Sequence, residues 1–112
     1  MEHSANDVKS VLSQSQAIQA KNKSEVLVRP AWNDPIKIKP LLDYGFNSLV
    51  IPMVNNKEDA KKAVEACYYP PKGVRGVAMS QRGNDYTRDK NYFEKIEAVS
   101  YTHLTLPTIC SV

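Results

Sequence analysis

Long apolar runs are missing from this 112-residue chain, and nothing in it is long enough to cross a bilayer as a helix. Its start is polar, with no secretory-type apolar core behind it. Cysteine is scarce: Cys67 and Cys110 are the only two, and they show no metal-ligand spacing. A disulfide between them is one option; a reduced pair in a cytoplasmic protein is the expected one. Glycine occurs four times, and no Gly-x-Gly-x-x-Gly follows an apolar run, which disfavours a dinucleotide-binding fold. An excess of one charge is also missing, since 15 Lys and Arg against 12 Asp and Glu leave only +3. The lysines alternate with acids and form no basic face interleaved with aromatics. Neither a nucleic acid nor a membrane is therefore an expected partner. The length admits at most one small domain.

What is present is an alternation. Val26, Leu27 and Val28 form a short apolar run that reads as a buried parallel strand. Arg29 stands at its end, and Pro30 has no N–H to continue the ladder. Asn33 or Asp34 is placed to cap a helix whose first turn holds Pro35. That helix is expected over residues 35–44, with Ile38, Leu41 and Leu42 inward and Gly45 just past its end. Pro40 should kink it or tighten its first turn.

Upstream, residues 6–20 read as a helix with Val8, Val11, Leu12 and Ile18 on one face, and Ser4 with Asp7 as its capping box. Downstream, residues 48–51 read as a second strand, ended by Pro52. Asn55 or Asn56 caps a third helix reaching about Cys67, with Ala60, Ala63, Val64 and Cys67 buried. Residues 73–79 read as a short strand or an ordered loop, 81–90 as a loop and 91–98 as another helix. Helix, strand, helix, strand, helix is an α/β pattern with parallel strands and right-handed crossovers. It suits a doubly wound sheet as well as a barrel. In both, an arginine ending a strand lies on the edge where ligands bind. The plain alternative is an arginine paired to a surface carboxylate.

Five short motifs narrow the choice. They are Met1-Glu2-His3-Ser4, the run from Glu25 to Pro35, Leu41-Leu42-Asp43-Tyr44-Gly45, the run from Leu49 to Val54, and the run from Tyr69 to Gly76. In this order and at these spacings the chain resembles the HpcH/HpaI aldolase family, from residue 1 to about 98. A complete (β/α)₈ barrel needs about 250 residues. The resemblance therefore implies a partial (β/α)₈ TIM barrel, parallel strands with flanking helices, truncated at both ends. Val26, Val28, Leu49 and Ile51 are expected to fill part of its interior.

The resemblance also implies a metal-dependent class II aldolase, a carbon–carbon lyase. Such an enzyme reversibly cleaves 4-hydroxy-2-oxoacids to pyruvate and an aldehyde through an enolate. The implied partner is a small oxoacid or aldehyde substrate, in a cytoplasmic homo-oligomer. A second reading is a citrate-lyase β-like enzyme acting on CoA thioesters, against which Trp32-Asn33-Asp34-Pro35 and Tyr69-Pro70-Pro71 speak. A third is a non-enzymatic binding module using its helix faces, which requires the chain to fold alone.

The roles follow by resemblance. His3 matches the family histidine that activates a water to take the 4-hydroxyl proton, a task suited to a group titrating near neutrality. Arg29 matches the arginine whose planar fork holds the 2-oxo oxygen as it becomes an enolate, and so also binds substrate. Asp43 matches the carboxylate that orients the histidine. Its place at a helix C-terminus is unfavourable by dipole, which itself asks for a reason. Glu2 is a candidate to hold the metal-bound water from behind. Arg75 is expected to order a lid loop or a subunit contact, or else to be solvated. The family's Mg²⁺ or Mn²⁺ is held by a Glu and an Asp from later strands, so no metal ligand is expected within this stretch. Glu58 and Asp59 read instead as complementing a helix dipole.

Residues 99–112 look different. Val-Ser-Tyr-Thr-His-Leu followed by Thr-Leu-Pro-Thr resembles the translated mosaic end of a transposase-type sequencing adapter. The expected division is an aldolase segment over 1–98 and a non-native tail over 99–112. The alternative is a native β-prone segment, since Thr, Tyr and Val favour strands. The tail removes His103 and Cys110 from the site, and the disulfide option with them. Met1 reads as an internal methionine or a cut edge. The chain as given is expected to be inactive and not stably folded, with open sheet edges and a partly filled interior.

Overall fold

A computed structural model describes residues 1, 3–21 and 23–95, and the backbone of 104–105. Helix α1 (Val8–Gln19) begins at Asp7, whose carboxylate accepts the Ser10 N–H at 2.8 Å. The Ser10 hydroxyl accepts the Asp7 N–H at 3.0 Å. The capping box is thus Asp7 with Ser10, not Ser4 with Asp7, because the helix starts one turn later than the expected pairing requires. Val11 is buried and Val8 and Leu12 pack beside it, but Ile18 is 47 % exposed. Ser15 continues the buried stripe from Val11 instead, its hydroxyl satisfied by the Leu12 carbonyl at 2.7 Å.

Strands β1 (Leu27–Val28), β2 (Ser48–Val50) and β3 (Leu104–Thr105) form a parallel sheet in that order. Leu27 pairs with Ser48 and Val28 with Leu49; Leu49 and Val50 pair in turn with 104 and 105. The last strand falls inside the segment read as a non-native tail. The rest of that segment, His103 and Cys110 included, lies outside the described residues, as do residues 96–98 of the expected last helix.

Helix α2 (Pro35–Asp43) is capped by Asp34, whose carboxylate accepts the Ile36 N–H at 2.9 Å. Pro35 occupies its first turn, and Pro40 sits inside it without ending it. The C-terminus closes as a Schellman motif. Gly45 donates to the Leu42 carbonyl and Phe46 to that of Leu41, each at 3.0 Å, with Gly45 at φ +93°. Helix α3 (Lys57–Cys67) is capped by Asn56, which accepts the Asp59 N–H at 2.8 Å. Its buried face is Ala63, Ala66 and Cys67, small enough for close approach to α2.

Among the described residues the main core cluster lies on one face of the sheet. Val28, Leu49 and Ile51 join Ile38, Leu41, Leu42, Phe46 and the small residues of α3 in one cluster. These strand residues, expected to fill a barrel interior, therefore pack under the helices. The pleat then turns Leu27 to the other face, where it is 60 % exposed. Periodicity fixes which residues share a face but not which face the helices cover.

Residues 73–79 form an ordered loop rather than a strand, and the loop is tied back to α3. Val74 donates to the Glu65 carbonyl at 2.8 Å and Arg75 to that of Tyr68 at 2.9 Å. Gly73 makes this approach possible: a Cβ there would lie 2.3 Å from both carbonyl oxygens. A short 3₁₀ turn, Arg82–Asn84, and helical residues 92–95 come next.

Candidate active site

The segments that leave the strands build the carboxyl edge of the sheet. Arg29 comes directly after β1 and is half-buried. The Met1 amino group donates to the Arg29 carbonyl at 3.0 Å. That bond brings the N-terminal segment to the same edge, and His3, exposed, lies within about two residue lengths (roughly 7 Å) of it. Glu2 lies outside the described residues. Asn33 is buried and its amide donates to the Asp59 carbonyl at 2.9 Å, fastening the β1–α2 loop to the first turn of α3. The Asp59 carboxylate in turn accepts the Asn55 N–H at 3.2 Å, so it braces this edge besides complementing the dipole of α3. Met53, just after β2, takes a left-handed backbone at φ +57°, a strained conformation of the kind that gathers at ligand sites.

Asp43 is elsewhere. The nine residues of α2 span about 13 Å, and the helix runs back from the edge that holds Arg29. Its last residue, Asp43, therefore sits at the amino edge of the sheet, and the structure does not bring it to His3 of the same chain. Its carboxylate instead accepts from Arg75 Nη2 at 2.9 Å. Arg75 is not solvated, as one expectation had it: its side chain is fully buried. The guanidinium lies 4.5 Å over the Tyr69 ring, and Nη2 also donates to the Tyr92 hydroxyl at 3.1 Å. Phe93 packs edge-on against both tyrosines. Burial works against the Arg75 charge, but Asp43 and the two tyrosines hold its pKa above the ordinary arginine value. Burial pushes Tyr69 up to about 12.

The Arg75 cluster is what sequence reasoning missed. The available signal was Asp43 itself, because an acid at a helix C-terminus calls for a nearby cation.

Among the described residues no group of three or more His, Cys, Asp or Glu is arranged to hold a metal ion. The described residues thus do not fit a metal site. No described helix is long and apolar enough to cross a membrane. Cys67 is a free, buried thiol pushed up to about 11 by that burial, so it is not a nucleophile at neutral pH.

A parallel α/β unit with an arginine and a histidine at its carboxyl edge belongs to the α/β class, in which ligand sites lie beyond the carboxyl ends of the strands. The particular family is also defined: the chain belongs to the HpcH/HpaI aldolase/citrate lyase family, whose model matches residues 1–106. It is 48 % identical over 95 residues to the 4-hydroxy-2-oxo-heptane-1,7-dioate aldolase of Shigella flexneri, covering 84 % of this chain and 35 % of that protein. The enzyme of that name from Salmonella heidelberg (strain SL476) is also 48 % identical, over 84 % of this chain and 36 % of its own length. A crystal structure of an HpcH/HpaI aldolase/citrate lyase family protein from Burkholderia cenocepacia J2315 superposes with a TM-score of 0.85. It is 32 % identical, over 95 % of this chain and 42 % of that one. The chain thus spans little more than a third of the curated relatives it matches.

Proposed function

We propose that this chain carries part of an aldolase that cleaves 4-hydroxy-2-oxo acids to pyruvate and an aldehyde, as one segment of a (β/α)₈ barrel. The observation that carries the reading is Arg29 at the carboxyl edge, with the segment bearing His3 bonded to its backbone. In this reading the Arg29 fork holds the 2-oxo oxygen, where negative charge develops. His3, through a water, takes the 4-hydroxyl proton. The C3–C4 bond breaks, C4 leaves as the aldehyde, and its electron pair becomes the enolate that C3 protonation turns into pyruvate. Mg²⁺ or Mn²⁺ belongs to the reading only through carboxylates outside the described residues; Arg29, His3 and water carry the steps assigned to this chain. The relatives' names favour 4-hydroxy-2-oxo-heptane-1,7-dioate as substrate, which yields pyruvate and succinic semialdehyde. Condensation of pyruvate with succinic semialdehyde, glycolaldehyde or lactaldehyde separates the aldehyde choices. Failure of all three favours CoA thioesters.

Asp43 keeps its assigned role only across an interface. At the amino edge of its own sheet it serves the histidine of a second copy, which makes the enzyme a homo-oligomer. The test of the whole reading is Arg29→Lys in a complete enzyme carrying this sequence. It keeps the charge and loses the fork, and kcat for pyruvate release is expected to fall about 10²-fold or more. An unchanged kcat refutes the assignment.

A further inference from the structure

We propose that Arg75 is a positioning residue that holds one oxygen of Asp43 and so aims the other out of the protein. The inference rests on the role proposed above for Asp43. The geometry is specific. Nη2 of a fully buried guanidinium reaches Asp43 Oδ1 at 2.9 Å, while the Asp43 side chain keeps 22 % of its surface exposed. Oδ2 takes no bond among the described residues, so the carboxylate is gripped from inside by one oxygen and offers the second outward.

Arg75 is itself fixed on three sides. Its plane lies on Tyr69, Tyr92 shares Nη2, and its own N–H is bonded to Tyr68. Both tyrosines are located by Phe93, and Tyr92 begins the helical residues 92–95. A fixed donor on a fixed plane allows the carboxylate one orientation, which is what a group that must orient an imidazole requires. Lysine at this position keeps a charge but lacks the plane that lies on Tyr69 and fixes where Nη2 meets Asp43 and Tyr92.

Two donors of the same guanidinium, Nε and Nη1, take no hydrogen bond among the described residues. An arginine placed only to satisfy its own hydrogen bonds would not leave them so. The contact at Asp43 is therefore the one its burial serves.

The experiment is a double-mutant cycle in a complete enzyme carrying this sequence, supplied with Mg²⁺ or Mn²⁺. Its readouts are kcat and KM for pyruvate release and the unfolding midpoint. Arg75→Lys is expected to lower kcat about 10- to 100-fold, the scale of a small misplacement at a reacting group, with KM changed less than about twofold. Arg75→Lys combined with Asp43→Asn is expected to be no slower than Asp43→Asn alone, because both changes remove one function. Tyr92→Phe deletes a single oxygen and covers the case in which Arg75→Lys fails to fold. It is expected to lower kcat several-fold, again without adding to Asp43→Asn. Full activity in Arg75→Lys, or losses that multiply with Asp43→Asn, overturns the inference and leaves Arg75 a structural residue. Full activity in Asp43→Asn overturns it from a different side, by refuting the role of Asp43 on which it rests.

Discussion

Gly73→Ala tests the packing beneath the Arg75 cluster. An added Cβ would lie 2.3 Å from the carbonyl oxygens of Glu65 and Tyr68 and 2.8 Å from Tyr68 Cβ. Backbone must move by roughly 1 Å to relieve that, an overpacking strain of about 1–3 kcal/mol. The oxygens struck are those that accept the Val74 and Arg75 N–H groups. Moving them apart weakens two backbone hydrogen bonds worth about 0.5–1.5 kcal/mol each. Alanine also restrains the unfolded chain, which returns about 0.4–1 kcal/mol. The net loss is about 1–6 kcal/mol, read as a lower midpoint in urea unfolding of a complete enzyme carrying this sequence. Gly76→Ala is the control, since its Cβ would meet only the flexible Lys39 side chain, nearest at 3.5 Å. A Gly73→Ala protein within about 0.5 kcal/mol of its parent refutes the argument.

Cys67 links stability to alkaline pH. Its folded pKa is raised from 9.0 to about 11, so above pH 9 the unfolded chain loses the proton first and stability falls until about pH 11. A rise of that size corresponds to about 2–3 kcal/mol, and Cys67→Ala should flatten that part of the curve; an unchanged slope refutes the assignment. Asp34→Ala removes the cap of α2 and is expected to destabilise by about 0.5–2 kcal/mol in urea unfolding. An Asp34→Ala protein as stable as its parent would show that the cap contributes nothing. The purified 112-residue chain is expected to melt without a cooperative transition and to release no pyruvate, because Leu27 on the second sheet face is left 60 % exposed by the described residues. A cooperative melt with metal-dependent pyruvate release would show that the helix-side core suffices.

The sequence was most informative where the physics is local. Asp34 before Pro35, Asn56 before α3 and Gly45 after α2 each act within a few residues, and each occupies the position its chemistry predicted. Ile38, Leu41 and Leu42 fall inward for the same reason, a helical period read within one turn. The misses need partners far along the chain. Arg75 meets Asp43 across 32 residues and Tyr92 across 17, and no window of sequence carries that meeting. Val28 and Leu49 were correctly grouped on one face, but whether helices or a barrel interior cover that face is decided by the crossover. Asp43 shows both kinds at once: its place at a helix end was legible as an anomaly, whereas its position at the far edge from His3 is a property of the βαβ topology.

That anomaly and the buried arginine explain each other. A guanidinium taken wholly out of water is a poor stabiliser, since a buried ion pair often does no better than apolar side chains of similar volume. The methylene stem of a methionine would fill the space over Tyr69 without leaving Nε and Nη1 unbonded. Asp43, for its part, lies against the negative end of α2, where an acid is disfavoured by several tenths of a kcal/mol or more. Neither residue is the choice that stability alone would make at its position. Placed together they satisfy each other through a single 2.9 Å bond, and the pair presents a carboxylate held by one oxygen at the edge opposite Arg29. In the proposed reading the reason for the pair lies beyond this chain's own stability: a carboxylate oriented for a histidine on a second copy.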